Sequence, residues 1–511
     1  MNKTLRPLIL VLLSLPAAAD TITGQVVDSN GNGVVGVDID AKNLGGGGDP
    51  TLFNDGTDLN GFFTTTIPAG VYRITFIPPP PPTTTHLVFE IEPVVVVGTT
   101  NMGTISLPPG VSLAGHVEET NGFPVGGANI DVIDETAGDA LVLTNDFTDA
   151  FGNFIVAVPA GPIELRIDAT PVFSAILAST AIQLSPSGNT TLPTITLEPG
   201  FVLTGTVEDP NGDPVEDADL DVFDSAHEKL FTPGDSTDCS GEFSLVVPSG
   251  LFDLEVCPDP GDLLVATGVF GIAVSSDLDL GLFQLAPGAV LSGTVRNASG
   301  QPVAGVDIDV ERSATLAEVV VCSDSTDAAG QYAVIVPFTT IDVMFTPDFS
   351  QALGSASVKN VLITGARTLN ATLPNCPFAT NYGAGLAGTG GTVPHITTSG
   401  GAPSVANPDW RIEMQNGRGG AFAILILSTG SAALPFRGGT ILVNISVGQH
   451  FNQFVTLSGT PGAAGAGSYT FDPGPLTGAS GFTGFAQFAV QDPGAVQGWA
   501  MSEGLQMTFC N

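Results

Sequence analysis

Two unrelated motifs recur four times in this chain at one spacing, and a period of that size restricts the fold to a string of similar small domains. The first opens at Gly24 (GQVVDSNGNGVVGVDID), Gly115 (GHVEETNGFPVGGANID), Gly205 (GTVEDPNGDPVEDADLD) and Gly293 (GTVRNASGQPVAGVDID), at intervals of 91, 90 and 88 residues. The second (TDLNGFF, TDAFGNF, TDCSGEF, TDAAGQY) spaces Asp58, Asp149, Asp238 and Asp327 by 91, 89 and 89 residues. Two motifs keeping step over four copies leave no room for coincidence.

Within a copy, the side-chain pattern is that of half-buried strands. In repeat 3, Leu203, Gly205 and Val207 alternate with polar residues, and the turn at 209–212 ends on Gly212, free to take positive φ. Ala218, Leu220 and Val222 then face one way, and Asp217, Asp219 and Asp221 the other. Phe243, Leu245 and Val247 lead into Pro248-Ser249-Gly250, and Phe252, Leu254 and Val256 return from it. Units of this kind predict about seven short antiparallel strands per repeat in two packed sheets. No stretch sustains a helical period. The expected domains are repeats at 20–110, 111–200, 201–288 and 289–376, then a different module at 377–511, where Gly, Ala and Ser rise. Strand-like runs resume there at 410–414, 422–427, 440–445, 454–457, 485–490 and 505–509, so this module is also β.

The repeats abut at Pro109-Gly110, Pro199-Gly200 and Pro287-Gly288. Junctions this short predict a stiff rod, and four domains of roughly 35 Å would reach about 140 Å. Repeat 1 carries a proline run at 78–82 followed by three threonines, read as a stiff polyproline II surface loop with recognition as the other reading.

The pattern G-x-V, G-x-P-V, then T-D-x-x-G-x-[FY] and V-P-x-G resembles the carboxypeptidase regulatory-like domain. It covers about 21–375 and is clearest in repeat 3 at 205–207, 214–215, 237–243 and 247–250. The resemblance implies a transthyretin-like, Ig-like β-sandwich and an extracellular setting, and carries no catalytic residues. Repeat 4 departs from it at Pro337-Phe338-Thr339, where the turn glycine is missing, and repeat 1 has Gly33 where the others have proline. The C-terminal module looks like a glycine-rich terminal β-module of exported bacterial proteins.

The start of the chain reads as a secretory signal. Lys3 and Arg6 precede an apolar run at 8–15 and the small residues Ala17-Ala18-Ala19, so cleavage before Asp20 is expected. The apolar run is too short to span a bilayer, and no second run qualifies. Fifty-one carboxylates against 13 Lys and Arg leave a net charge of −38. Such a chain repels nucleic acid and anionic lipid, and attracts cations. Its 43% hydrophobic content argues against disorder.

Catalysis finds no footing. His86, His116, His227, His395 and His450 are scattered, with no HExxH, no G-x-S-x-G and no Walker loop, and the glycines at 45–48 precede no helix. The best candidate chemistry is Ca²⁺. Asp28, Asn30 and Asn32 place oxygens on alternate residues before Gly33, but without a closing bidentate Glu. Repeat 3 offers Asp209, Asn211 and Asp213 in its turn, then Asp217, Asp219 and Asp221 on one strand face. Paired acids or amides recur on that strand as Asp38/Asp40, Asn129/Asp131 and Asp307/Asp309. They are read either as a cation site or as charges that block edge-to-edge aggregation. The T-D-x-x-G aspartates are read as turn caps.

Five cysteines in an exported chain suggest two disulfides and one thiol. Cys239 and Cys257 lie nine residues either side of Pro248, and Cys376 and Cys510 bracket the C-terminal module, so these are the expected pairs, leaving Cys322 odd. Both tryptophans, Trp410 and Trp499, lie in that module, as core residues or as a platform for a sugar. The expected function is non-catalytic: a secreted or cell-surface structural or adhesive rod whose last module meets a surface glycan or protein. A carbohydrate- or peptide-binding accessory protein and a self-associating fibre or layer subunit are the alternatives.

Overall fold

Alternating side chains place one face of each strand in a core, and the strands follow that pattern. In repeat 1 they are β1 (Thr21–Val27), β2 (Asp38–Asn43), β3 (Phe62–Thr66), β4 (Gly70–Ile77), β5 (Phe89–Val96) and β6 (Thr99–Ser106). This is a computed structural model describing residues 20–169, 176–446, 448, 450–474 and 478–510. The export signal read at 1–19 lies outside the described residues. Two three-stranded sheets, β3-β1-β6 and β2-β4-β5, face each other across Ile22, Ile39, Phe63, Ile74 and Phe76.

The plan recurs. In repeat 3 one sheet holds Glu242–Val247, Phe201–Glu208 and Leu278–Gln284, and the other Asp219–Phe223, Gly250–Cys257 and Thr267–Val274. Repeats 2 and 4 split the last strand into two short pieces and add a two-residue strand, Asp139–Ala140 or Ala317–Glu318, beside the counterpart of β2. Among the described residues the only helical turns are four three-residue 3-10 segments. The chain is all-β, a tandem array of sandwiches.

Three expectations need correction. Each repeat has six principal strands, not seven. They are not all antiparallel, since β1 runs parallel to β6 from Thr21↔Thr99 to Val27↔Ser106, a pairing repeated between Phe201–Glu208 and Leu278–Gln284. Alternation reports which side chains face inward, not which way a neighbour runs. The V-P-x-G turn is also no hairpin. The strands it joins belong to opposite sheets, so the chain arches across the sandwich there. Repeat 4, which lacks the glycine, makes the same crossing between Gln331–Pro337 and Thr340–Thr346.

The T-D-x-x-G motif locks each sandwich. Its threonines are buried, and each hydroxyl joins two backbone groups. Thr237 Oγ1 donates to Val215 O at 2.7 Å and accepts from Ala218 N at 2.9 Å. Thr57, Thr148 and Thr326 do the same in their repeats. The following aspartate caps the turn, with Asp238 Oδ1 accepting from Ser240 N and Glu242 N at 2.8 and 3.0 Å. Gly241 is required twice over: its φ is +71°, and a Cβ there would lie 2.4 Å from Val207 O.

The C-terminal module pairs Thr380–Tyr382, Gly504–Thr508, Thr483–Gln491, Phe422–Ser428 and His450–Thr456 in that order, with Trp499–Met501 also on Thr483–Gln491. A second sheet holds His395–Ser399, Arg411–Gly417 and Gly467–Phe471, and Ser431–Phe436 and Gly439–Val443 form a separate hairpin. Trp410, Met414, Leu425 and Phe488 lie in its core.

Candidate functional site

Function in an array of this kind depends on how the units are joined and on what its distinct end presents. The joints repeat one device. In repeat 1 the proline–threonine loop turns back, so that His86 bridges Pro109 and Leu87 N donates to Pro108 O at 3.0 Å. Between repeats 2 and 3, Leu177 bridges Pro199, Gly200 N donates to Ile176 O at 2.8 Å and Ala178 N to Glu198 O at 2.9 Å. Between repeats 3 and 4, Leu264 and Val265 pair with Pro287 and Ala286, and Gly288 N donates to Leu263 O at 2.7 Å. Repeat 4 closes on the linker to the last module in the same way, through Leu353↔Asn375 and Cys376 N to Ala352 O at 2.8 Å. Each linker is thus bridged to the preceding repeat. The proline run at 78–82 leads into the first of these joints.

The joints are also packed. A Cβ on Gly200 would lie 2.3 Å from Val246 Cγ1, and one on Gly288 2.6 Å from Ile335 Cγ2, so the next repeat sits directly against the linker. Leu264 belongs to the core of repeat 3 and its neighbour Val265 to that of repeat 4. Arg166 of repeat 2 lies 5.1 Å over the ring of Phe231 in repeat 3. Ala402 N of the last module donates to Phe349 O of repeat 4 at 2.9 Å. Sequence reasoning missed these clamping loops. Only the loops of repeats 3 and 4 share a signal: Asp259 and Asp348, 89 residues apart, each cap a 3-10 turn that ends on a left-handed residue, Leu263 or Ala352.

Covalent links reinforce two of these places. Cys257, the last residue of Gly250–Cys257, joins Cys322 of repeat 4, with Cα atoms 5.9 Å apart. The expected Cys239–Cys257 pair is therefore wrong, and Cys239 is an exposed free thiol. The symmetric spacing about Pro248 assumed a hairpin, but that segment arches between sheets and sends the two cysteines apart. Cys376 joins Cys510, with Cα atoms 5.6 Å apart, so the clamped linker is tied to the far end of the last module.

The proposed Ca²⁺ residues divide into two groups. Asp28 Oδ1 accepts from Asn30 N and Asn32 N, both at 2.8 Å, and Asp209 Oδ1 accepts from Asn211 N and Asp213 N at 2.7 and 2.9 Å. These are turn caps, and their hydrogen bonds hold both carboxyls below the usual range. In repeat 4, Asn297 makes the same two contacts with a neutral amide, so an uncharged acceptor also holds this turn. Asp219 and Asp221 lie on an edge strand of their sheet, as Asp38 and Asp40 do in repeat 1, where charge opposes further pairing. Asp217 is exposed at φ +56°, and Asp221 forms an ion pair with Lys229. Among the described residues, no group of three or more His, Cys, Asp or Glu is disposed to hold a metal ion.

Another acid escaped notice. Asp55, Asp146, Asp235 and Asp324 each stand two residues before the motif threonine, an offset common to all four copies. Burial and the proximity of Asp309 and Asp324 push the Asp307 carboxyl up to about 6. Burial and neighbouring acids also raise Asp40, Asp131 and Asp219 in the other repeats.

The histidines remain apart. His86 contacts Thr84, His116 contacts Asn153 and Glu118, His227 stacks on Phe223, His395 pairs with Glu503, and His450 contacts Ser446 O. Trp410 is 1% exposed and meets Phe509 edge-on at 5.4 Å, so it is a core residue and no sugar platform. Trp499 is half-buried on its short strand. Beside Trp410 an apolar cavity of about 330 Å³ opens toward His450 and Phe451.

No family model matches this chain, and no curated protein matches it. Among solved structures, the Bacillus anthracis TIE protein is 12% identical over 67% of this chain and 68% of its own, with a TM-score of 0.16. A streptococcal ancillary pilin is 11% identical over 53% of this chain and 99% of its own (TM-score 0.16), and BcpA, the major pilin subunit of Bacillus cereus, 9% over 53% and 99% (TM-score 0.15). At these scores the likenesses carry no argument, and function rests on the residues of this chain alone.

Proposed function

We propose that this chain is an exported, non-catalytic structural rod of carboxypeptidase regulatory-like repeats, which holds its C-terminal module at a fixed distance for contact with a surface glycan or protein. The observation that carries the reading is the repetition of one backbone clamp at four successive linkers. A single such bridge would be incidental, but the same bridge four times, in loops of different sequence, fits selection for stiffness. Linkers held by the preceding repeat and packed against the next lose the rotation that a free peptide would allow. Disulfides at 257–322 and 376–510 suit an oxidising compartment outside the cytoplasm. No helix of the described residues is long and apolar enough to cross a membrane.

Small-angle scattering on residues 20–511 tests this. Five units of roughly 35 Å in line give a length of about 170 Å and a radius of gyration of about 50 Å, against about 23 Å for a compact chain of this size. A value near the compact one would overturn the proposal.

A further inference from the structure

We infer that the edge strand His450–Thr456 of the C-terminal module is a self-association site, at which a second copy of this chain adds its own His450–Thr456 in antiparallel pairing. In the sheet of the module this strand has Phe422–Ser428 on one side and, among the described residues, no strand on the other. An open edge offers unpaired N–H and C=O groups and invites another strand unless something obstructs it.

Five edge strands of the repeats are obstructed, whereas Phe62–Thr66, Asn153–Val158 and Thr180–Leu184 are not. The edge strands Asp38–Asn43 and Asp219–Phe223 carry paired aspartates, and the strands Phe89–Val96, Thr267–Val274 and Ala356–Leu362 pair through an irregular register. His450–Thr456 has neither device. Its sequence, HFNQFVT, contains no Lys, Arg, Asp, Glu or Pro, and it pairs without a break from Phe422↔Thr456 to Ser428↔His450. It also displays Phe451 at 57% and Phe454 at 62% exposure, with Phe454 stacked on Phe422 at 6.0 Å.

Charge selects a second copy as the occupant and this end as the place. Residues 20–376 hold 46 carboxylates against eight Lys and Arg, whereas 377–511 hold five against three. Two copies repel along their repeats and meet without that penalty only at the last module. The strand is also complementary to itself. Antiparallel pairing centred on Gln453 sets Phe451 opposite Val455 and Asn452 opposite Phe454 of the second copy, with no charge facing a like charge. Each Phe451, now at the mouth of the apolar cavity, then extends the inner apolar layer across the new boundary. The pairing is independent of the rod reading, because a stiff or a compact chain could carry it equally well.

The test uses residues 20–511 with Cys239→Ser, which removes the free thiol. Light scattering from about 1 to 100 µM should show the mass doubling with concentration. A Phe451→Lys/Phe454→Lys variant should stay monomeric with an unchanged melting temperature, since both rings are exposed. Gln453→Cys should form a disulfide-linked dimer under mild oxidation, because the pairing sets this residue across from itself. A control cysteine at exposed Gln301 should form none. A monomer at 100 µM overturns the inference. So does a dimer that the double Lys variant leaves intact, and scattering on that variant reports the rod separately.

Discussion

Replacing Asp307 with Asn should stabilise repeat 4 at neutral pH and do nothing in acid. The carboxyl lies beside Asp309 and Asp324, and burial and these neighbours raise it from 3.8 to about 6. A carboxyl raised in the folded state contributes stability that is complete below about 3.8, its unfolded value, and is lost as pH rises through about 6. A rise of about two pH units corresponds to about 3 kcal/mol for a fully buried group. Asp307 is solvent-exposed on one side, and screening reduces this to about 1 kcal/mol. The amide imitates the protonated acid and cannot ionise, so the variant keeps that energy at every pH. In calorimetry, one transition of the multidomain melt should rise by roughly 4–8 °C at pH 7.5 and coincide with wild type at pH 4. An equal effect at both pH values, or a loss at pH 7.5, would refute the carboxylate cluster as the cause.

Other outcomes follow from the same contacts. The wild-type chain should be most stable in a narrow window around pH 4. Below that window the turn caps Asp28, Asp149 and Asp209, held low by hydrogen bonds, lose their contribution as they protonate, while above it the raised carboxyls lose theirs. Thr237→Val should cost about 3 kcal/mol in repeat 3 by stranding Val215 O and Ala218 N, and Thr237→Ser should recover most of it, as read by denaturant unfolding. Gly241→Ala should cost about 2–4 kcal/mol, through its positive φ and the clash with Val207 O. Asp209→Asn should change stability by less than about 0.5 kcal/mol, because Asn297 already serves in the equivalent turn of repeat 4.

Much of the sandwich was legible because burial leaves a period of two. Leu203, Leu220, Leu245 and Leu254 were assigned to strands from alternation alone, and all four are fully buried. The aspartates of T-D-x-x-G were legible as caps because an Asx turn is local chemistry. Contacts that depend on a neighbour's direction or on a second domain were not. Nothing in β1 says that β6 runs parallel to it, and nothing about Cys257 says that its partner lies in the following repeat. The clamping loops stayed hidden because residues 80–88 and 259–265 share a role without sharing a sequence. Trp410 illustrates the limit from the other side: an aromatic residue at a strand start fits core and surface equally, and only packing against Phe509 decides.

The Cys257–Cys322 link matters most when the chain is pulled from its ends. Tension entering at residue 257 passes through the sulfur bridge to 322, so the 65 residues of sequence separation never bear load. About 220 Å of contour length stays locked even if both flanking repeats tear open. The bridge from 376 to 510 shelters the terminal module likewise, withholding about 450 Å over its separation of 134 residues. Repeats 1 and 2, which contain no cysteine, are then the compliant end of the molecule, where a stretched chain would lengthen first.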